Sequence, residues 1–161
     1  MVLKLTKKAM DKIKVKIFDI EPNVEKQLPL NEWYVNHFKL GQKGYFIITE
    51  AKSLYSIIEP SVGVSSIKIF KNRIREIFRK FEKENNIKDN LMNKDVIYIC
   101  KTSNRSVLGS QTDLIKMAES IYYYDNKSTV GLNDINKTPM SYTNSFPDKD
   151  IIREIKKNED F

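Results

Sequence analysis

Residues 32–59, EWYVNHFKLGQKGYFIITEAKSLYSIIE, contain three apolar and aromatic runs separated by two short polar segments. The runs at 32–40, 45–49 and 54–59 predict strands, and the segments between them, GQKG and EAKS, are typical of turns. Consecutive strands joined by short turns usually pair in antiparallel fashion. The stretch therefore predicts a three-stranded antiparallel meander, which Pro60 ends.

Regular elements also flank this meander on both sides. The clearest helix signal lies at 67–83, where apolar residues recur every three or four positions and leave the basic residues largely on other faces. The run VIYIC at 96–100 is typical of a strand covered on both faces. The other predicted elements are a strand at 2–6, helices at 6–13, 110–122 and 151–157, a loop at 18–29, a helical turn ending at Met92 and an irregular segment at 125–145.

Length and composition fit one globular domain. The chain has 161 residues, of which 40% are apolar and 30% are charged, with only five glycines and five prolines. The order of elements predicts an α+β fold, with an antiparallel or mixed sheet of about five strands and helices packed mainly on one face. We expect residues 1–161 to form a single domain, with 148–161 as a loosely packed C-terminal tail.

Several classes of protein are disfavoured. The longest apolar runs, such as 45–48 and 96–100, are far shorter than the roughly 20 residues that a membrane-spanning helix needs. The N-terminus lacks the apolar segment of a secretory signal. A single cysteine, Cys100, allows no internal disulfide, and a single histidine, His37, predicts an ordinary strand residue and no metal site. We therefore expect a cytoplasmic protein with no membrane partner and no cofactor.

Positive charge is concentrated in two segments. The formal net charge is +7, which favours polyanionic partners through long-range attraction. Six lysines against one aspartate lie in 4–16, and seven basic residues against two glutamates lie in 68–83. The candidate nucleic-acid surface on the predicted helix consists of Lys68, Lys71, Arg75 and Arg79. The alternative is a solvated face in a chain that is rich in lysine.

The most distinctive stretch is KTSNRSVLGS at 101–110, between a predicted strand and a predicted helix. Free backbone N–H groups and the positive end of the helix dipole favour an anion at such a place. Arg105 can grip a phosphate or a carboxylate through two hydrogen bonds, and Gly109 permits close approach of the backbone. The candidate ligand-binding residues of this stretch are Thr102, Asn104, Arg105, Ser106, Gly109 and Ser110.

A structural interpretation of the same stretch stays open. Ser110 and Asp113 have the spacing of a capping box, which would satisfy the start of the helix by itself. Arg105 can pair with Asp113 or another carboxylate instead of a ligand.

Three residues elsewhere complete the candidate site. Trp33, the single tryptophan, and Asn36 would form a stacking platform for a base with a polar neighbour. The alternative for Trp33 is a core anchor with its N–H satisfied. Asn136 opens the segment NKTPMS at 136–141, which would form a wall beside Arg105 or a rigid turn set by Pro139.

The chain resembles a bacterial family of uncharacterised proteins of similar length. The resemblance spans nearly the whole chain and lies in blocks that occur in the same order, of which NRSVLGS is the most specific. The blocks are TKK at 6–8, W-x-x-N at 33–36, SLYS at 53–56, T-x-N-R-S-V-L-G-S-x-x-D at 102–113 and N-x-T-P-M-S at 136–141. The family often has Asn near Glu50 and Thr in place of Ser53. The resemblance supports the fold and the choice of site residues, and it implies no activity.

Three functions follow as hypotheses. The leading one is a protein that binds a phosphate-bearing partner, nucleic acid above all, through Arg105, the 109–110 backbone and the basic helix. The second is a small enzyme, a nuclease or a transferase linked to a mobile element or a toxin system, with 102–106 lining its pocket. The third is a protein-interaction module that uses the edge of the meander or the C-terminal tail. No catalytic residue is assigned.

Overall fold

A computed structural model describes residues 1–16, 19–21, 30–87, 96–125, 128–129, 131–140 and 145–159. The strands are β1 (Val2–Leu5), β2 (Glu32–Leu40), β3 (Lys43–Glu50), β4 (Ser56–Pro60) and β5 (Tyr98–Lys101). The helices are α1 (Lys7–Ile13), α2 (Ile67–Glu84), α3 (Arg105–Tyr124), a 3₁₀ helix (Leu132–Lys137) and α4 (Pro147–Glu159). The order of elements along the chain is β1-α1-β2-β3-β4-α2-β5-α3, followed by the 3₁₀ helix and α4.

The five strands form one mixed sheet with the order β4-β3-β2-β1-β5. Strands β2, β3 and β4 pair in antiparallel fashion, which confirms the predicted meander. Strand β1 is parallel to both of its neighbours, β2 and β5. The N-terminal strand therefore lies inside the sheet, next to the edge strand β5, and the predicted α+β class with a mixed sheet is confirmed.

Helices cover both faces of the sheet. Successive side chains of a strand point to opposite faces, so each strand contributes to two cores. Trp33 and Val35 of β2 belong to a first core, which α1, α2 and α4 cover. Tyr34 and Phe38 belong to a second core, which α3 and the 3₁₀ helix cover. Three of the four α-helices named above thus share one face, in agreement with the sequence prediction.

The C-terminal segment packs against the first core. Ile151 is 1% exposed and Ile155 is also buried. These side chains are one turn apart on the same side of α4, so the helix is held by apolar contact. The prediction of a loosely packed tail at 148–161 is therefore wrong for α4.

One further prediction is corrected in part, and others concern residues that the structure does not describe. The segment at 125–145 was predicted to be irregular, but Leu132–Lys137 forms a 3₁₀ helix. The predicted loop at 18–29, the helical turn ending at Met92 and Ser141 lie largely outside the described residues. Within the described ranges, no helix combines the length and the hydropathy needed to cross a bilayer.

Candidate nucleic-acid interface

The NRSVLGS block forms the start of α3 and not a loop before it. The helix begins at Arg105, whereas the sequence predicted a start at Ser110. Asn104 is the N-cap, and its Oδ1 accepts hydrogen bonds from the backbone N–H of Ser106 at 3.0 Å and of Val107 at 3.3 Å. Asparagine is among the most favourable residues at this position because it satisfies N–H groups that the helix leaves unpaired. The predicted capping box at 110–113 is therefore wrong.

Gly109 and Ser110 lie inside α3, where their backbone N–H groups belong to the helical hydrogen-bond ladder. A Cβ built on Gly109 would meet no atom within 4 Å, and its φ is not positive. Neither a close approach nor an unusual backbone conformation requires glycine at this position. Ser110 is buried on the side of α3 that packs against the second core. The predicted phosphate-binding backbone at 109–110 is therefore not available to a ligand.

Polar residues around the start of α3 are accessible. Arg105 and Ser106 are exposed, and Thr102 is half-buried. Asp113, the acid considered as a partner for Arg105, lies instead 3.6 Å from Lys116. Arg105 forms no ion pair within the part of the chain that the structure describes. Its guanidinium stays available to an anion at the positive end of the helix dipole.

Trp33 is a core residue and not a stacking platform. Its side chain is 0% exposed, and its ring packs edge-on against Phe78 with 4.6 Å between centroids. The indole Nε1 donates a hydrogen bond to the carbonyl of Leu30 at 2.8 Å. No base can reach a ring that is enclosed in this way, so the ligand-binding interpretation of Trp33 is wrong.

The two asparagines of the candidate site form hydrogen bonds with residues of the sheet or at its end. Asn36 Oδ1 accepts from Thr6 Oγ1 at 2.8 Å and links β2 to the N-cap of α1. Asn136 is 3% exposed; its Oδ1 accepts from the backbone N–H of Ser56 at 2.7 Å, and its Nδ2 donates to the Ser56 carbonyl at 2.8 Å. The Asn136 amide thus occupies the place of a further strand beside β4. Asn136 does not line a site with Arg105, and the candidate residues do not converge on one cleft.

The predicted basic surface lies on a helix, α2, as the sequence indicated. At 100° per residue, Lys68, Lys71, Arg75 and Arg79 fall within an arc of about 80° that borders the core-facing side of the helix. We call these four residues the basic stripe. All four are exposed or half-buried. The stripe is thus the largest set of predicted site residues that the structure brings together.

Acidic residues of α2 lie away from the basic stripe or are buried. Glu76 pairs with Arg73 and Glu84 pairs with Lys80, each at 3.8 Å, on another side of the helix. Glu82 falls on the stripe side but is 3% exposed. The exposed carboxylates of Glu76 and Glu84 thus pair with basic residues that are not members of the stripe.

Lys4, in the basic segment 4–16, does not add to this charge. Its Nζ lies 2.9 Å from Glu32 Oε1, and the hydroxyl of Tyr34 donates to the same oxygen at 3.0 Å. Burial acts to lower the pKa of Lys4, but the hydrogen bond and the charge of Glu32 outweigh it, so the pKa is raised. The ammonium group is therefore held by Glu32, whose side chain is partly exposed.

A groove that the sequence did not reveal lies between α1 and α3, along β2. Its volume is about 720 Å³. The pKa of His37 is lowered by burial and then by the positive charges of Lys12, Lys39 and Lys8. The residues lining the groove are Lys8, Asp11, Lys12, Asn36, His37, Phe38, Lys39, Thr112, Ile115 and Glu119. The lysine-rich segment 4–16 indicated a concentration of positive charge. Only the packing of α1 on β2 shows that Lys8 and Lys12 line a groove.

The chemistry of His37 is limited by its surroundings. Its Nε2 lies 3.1 Å from Ser61 Oγ, but Ser61 is 2% exposed and out of reach of a substrate. Over the described ranges, no three His, Cys, Asp or Glu side chains form a group that could hold a metal ion.

Glu50 carries a buried carboxylate that shapes the turn after β3. One carboxylate oxygen, Oε2, accepts hydrogen bonds from the backbone N–H of Lys52 at 3.0 Å, the backbone N–H of Ser53 at 2.7 Å and Ser53 Oγ at 2.8 Å. Burial nevertheless raises the pKa of Glu50 above its ordinary value of 4.5, against the opposing effect of these bonds. The folded chain therefore holds a proton here more tightly than the unfolded chain does.

We predict that Glu50→Gln stabilises the fold at neutral pH by roughly 1 kcal/mol. The amide oxygen can still accept the turn hydrogen bonds, and the cost of burying a charge is removed. Because the folded-state pKa is raised, the wild-type contribution is complete below pH 4.5 and is lost as the pH rises through the raised pKa. Urea unfolding at several pH values should show the two proteins converging in acid. A wild-type advantage at pH 7 would contradict the prediction.

The fold and these sites define an α+β protein with an inner strand that is parallel to both of its neighbours, a basic helix and a lysine-lined groove. A family model described as Domain of unknown function (DUF6933) matches residues 2–149, and the chain belongs to this family. The resemblance inferred from the sequence is confirmed at the level of a family of unknown function. Neither the curated proteins nor the solved structures contain a match to the chain.

Proposed function

We propose that the chain binds nucleic acid through the basic stripe of α2. The observation that carries the proposal is the grouping of Lys68, Lys71, Arg75 and Arg79 within one arc of α2, in which each of the four is exposed or half-buried. With a rise of 1.5 Å per residue the stripe is about 16 Å long. This length corresponds to about five phosphates of one strand at 3.4 Å each.

The proposal concerns contacts with phosphates and not the recognition of bases. Lysine and arginine contacts to phosphates position a protein and carry no sequence information by themselves. We therefore expect binding that depends little on sequence and strongly on salt. Arg105 belongs to α3, on the other side of the sheet from the stripe, and the proposal does not depend on it.

The experiment compares the wild type with a variant in which Lys68, Lys71, Arg75 and Arg79 are all changed to Gln. Binding of labelled single- and double-stranded DNA and RNA is measured by fluorescence anisotropy at several salt concentrations. We expect the variant to bind at least about tenfold more weakly, with the slope of log K against log salt reduced by about three to four.

The matched control removes four positive charges from other elements. Lys116, Lys137, Arg153 and Lys157 each pair with an acid on α3, the 3₁₀ helix or α4. Changing these four residues to Gln should leave most of the affinity because they lie outside the stripe. Equal losses in the two variants would show that only net charge matters and would overturn the proposed surface. The absence of wild-type binding at low salt would overturn the function.

A further inference from the structure

Strand β2 extends well beyond its parallel neighbour. The last pair between β1 and β2 joins Leu5 to Val35, and the N–H of Thr6 still donates to the Val35 carbonyl at 3.0 Å. The chain then turns into α1, while β2 continues to Leu40. Among the described strands, the second half of β2 therefore has a partner, β3, on one side only.

The hydrogen-bond pattern identifies which backbone groups face the open side. Leu40 and Lys43 close the two-residue turn between β2 and β3, and paired residues alternate along an antiparallel ladder. Residues 36, 38 and 40 therefore bond to β3, whereas His37 and Lys39 direct their backbone groups away from it. The N–H of His37 donates to Asn36 Oδ1 at 2.9 Å. Within the described residues, the N–H and C=O of Lys39 have no partner on this side.

This open edge forms the floor of the groove between α1 and α3, and the two sides of the floor differ in chemistry. His37 and Lys39 point to the side of α1, where Lys8 and Lys12 line the groove. Phe38 points to the side of α3 and belongs to the second core, which Ile115 adjoins. An additional strand would therefore meet positive charge with every second residue and apolar surface with the others.

We propose that the groove binds an extended acidic peptide as an additional strand beside β2, in line with β1. Main-chain hydrogen bonds to Lys39 and to the His37 carbonyl would hold the peptide, and alternate side chains would select it. The fitting sequence alternates acidic and apolar residues. This site is separate from the basic stripe and does not depend on nucleic-acid binding.

The charge balance of the groove favours an acidic partner. On the side of α1, Lys8, Lys12 and Lys39 face a single acid, Asp11. The pKa of His37 is lowered by burial first and then by the positive charges of the same three lysines. Glu119 lines the groove from α3, so acidic side chains of the partner belong on the other side.

The experiment uses the full chain and a short synthetic peptide in which glutamate alternates with valine. The first readout is hydrogen exchange of the wild-type Lys39 amide, followed by NMR. We expect saturating peptide to slow this exchange at least about tenfold, because the amide gains a hydrogen-bond acceptor. A scrambled peptide of the same composition should slow it much less. Unchanged exchange of the Lys39 amide would overturn the proposal.

Two variants separate the backbone contact from the charge. Lys39→Pro removes the outward N–H, and proline is tolerated at such edge positions because the ladder with β3 does not use this group. Lys39→Gln removes the charge and keeps the N–H. We expect Lys39→Pro to weaken peptide binding about tenfold and Lys39→Gln to weaken it clearly less. Thermal unfolding verifies that both variants are folded.

The remaining outcomes decide between this site and the stripe. A folded Lys39→Pro protein that binds the peptide as well as the wild type would overturn the proposal. Peptide binding that is abolished by the four glutamine substitutions in the basic stripe would also overturn it. The charge reversal of Lys8 and Lys12 to Glu should weaken peptide binding while leaving the stripe intact, and a lack of effect would contradict the predicted acidic partner.

Discussion

Trp33→Ala is expected to lower the free energy of unfolding by about 4 kcal/mol. The indole is fully enclosed in the first core and packs against Phe78 and Phe81 with centroid distances of 4.6 and 6.3 Å. Its removal leaves a large cavity and also deprives the Leu30 carbonyl of its hydrogen-bond donor. Urea unfolding followed by circular dichroism measures the effect, since the variant lacks the chain's single tryptophan.

Trp33→Phe separates the contribution of the aromatic ring from that of the hydrogen bond to Leu30. Trp33→Phe keeps an aromatic ring against Phe78 and removes the N–H that bonds to Leu30. We expect a loss of about 2 kcal/mol, clearly smaller than that of Trp33→Ala. An alanine variant with nearly wild-type stability would show that the residue is not a core anchor. The ligand-stacking interpretation would then deserve renewed study.

Asn136→Ala is expected to lower the free energy of unfolding by about 3 kcal/mol. The change removes both hydrogen bonds to Ser56 and leaves a buried backbone N–H and C=O without partners. It also uncovers the outer edge of β4. Exposed strand edges promote association between chains, so we expect the variant to aggregate more readily on heating, which light scattering can follow.

Asn133 provides the matched control for Asn136. It lies in the same 3₁₀ helix, is exposed, and its Oδ1 accepts from the N–H of Ile58 at 3.3 Å. Asn133→Ala removes one long, partly solvated hydrogen bond, so we expect a loss of less than about 1 kcal/mol. Equal effects of the two substitutions would contradict the assignment of Asn136 as the main partner of the β4 edge.

Local sequence patterns predicted much of the fold. The three runs at 32–59 became the antiparallel meander, and the apolar period at 67–83 became α2 with Phe70, Ile74 and Phe78 buried. The basic residues of the candidate surface followed from the same period, because a helix that buries one side presents the other to solvent. These features depend on residues close together in the chain.

The start of α3 shows where local patterns were insufficient. Asn104 and Ser110 both have the chemistry of an N-cap, and the sequence alone does not choose between them. Val107 is fully buried in the second core, one helical turn before Gln111. Gln111 donates through Nε2 to the carbonyls of Tyr34 and Ile47. Packing of this first turn against the sheet favours the earlier cap, and it moves Gly109 into the helix.

The candidate site depended most on tertiary structure. Three candidate residues resembled ligand-binding residues in the sequence, because each is polar or aromatic and lies in a short motif. These residues are Trp33, Asn36 and Asn136. The structure gives each of them a partner that is distant in the chain, since Asn136 bonds to Ser56, 80 positions away, and Asn36 bonds to Thr6, 30 positions away. No local pattern records such a pairing.

The sequence by itself determined the strands of the meander, α2 with its basic residues and the family, because hydrophobic period and charge spacing act over a few residues. The tertiary structure alone decided that β1 lies between β2 and β5. That choice makes β1 end beside Val35 and leaves Lys39 at an open edge. Pairing between distant strands depends on the packing of the whole chain, and the groove exists only as its result.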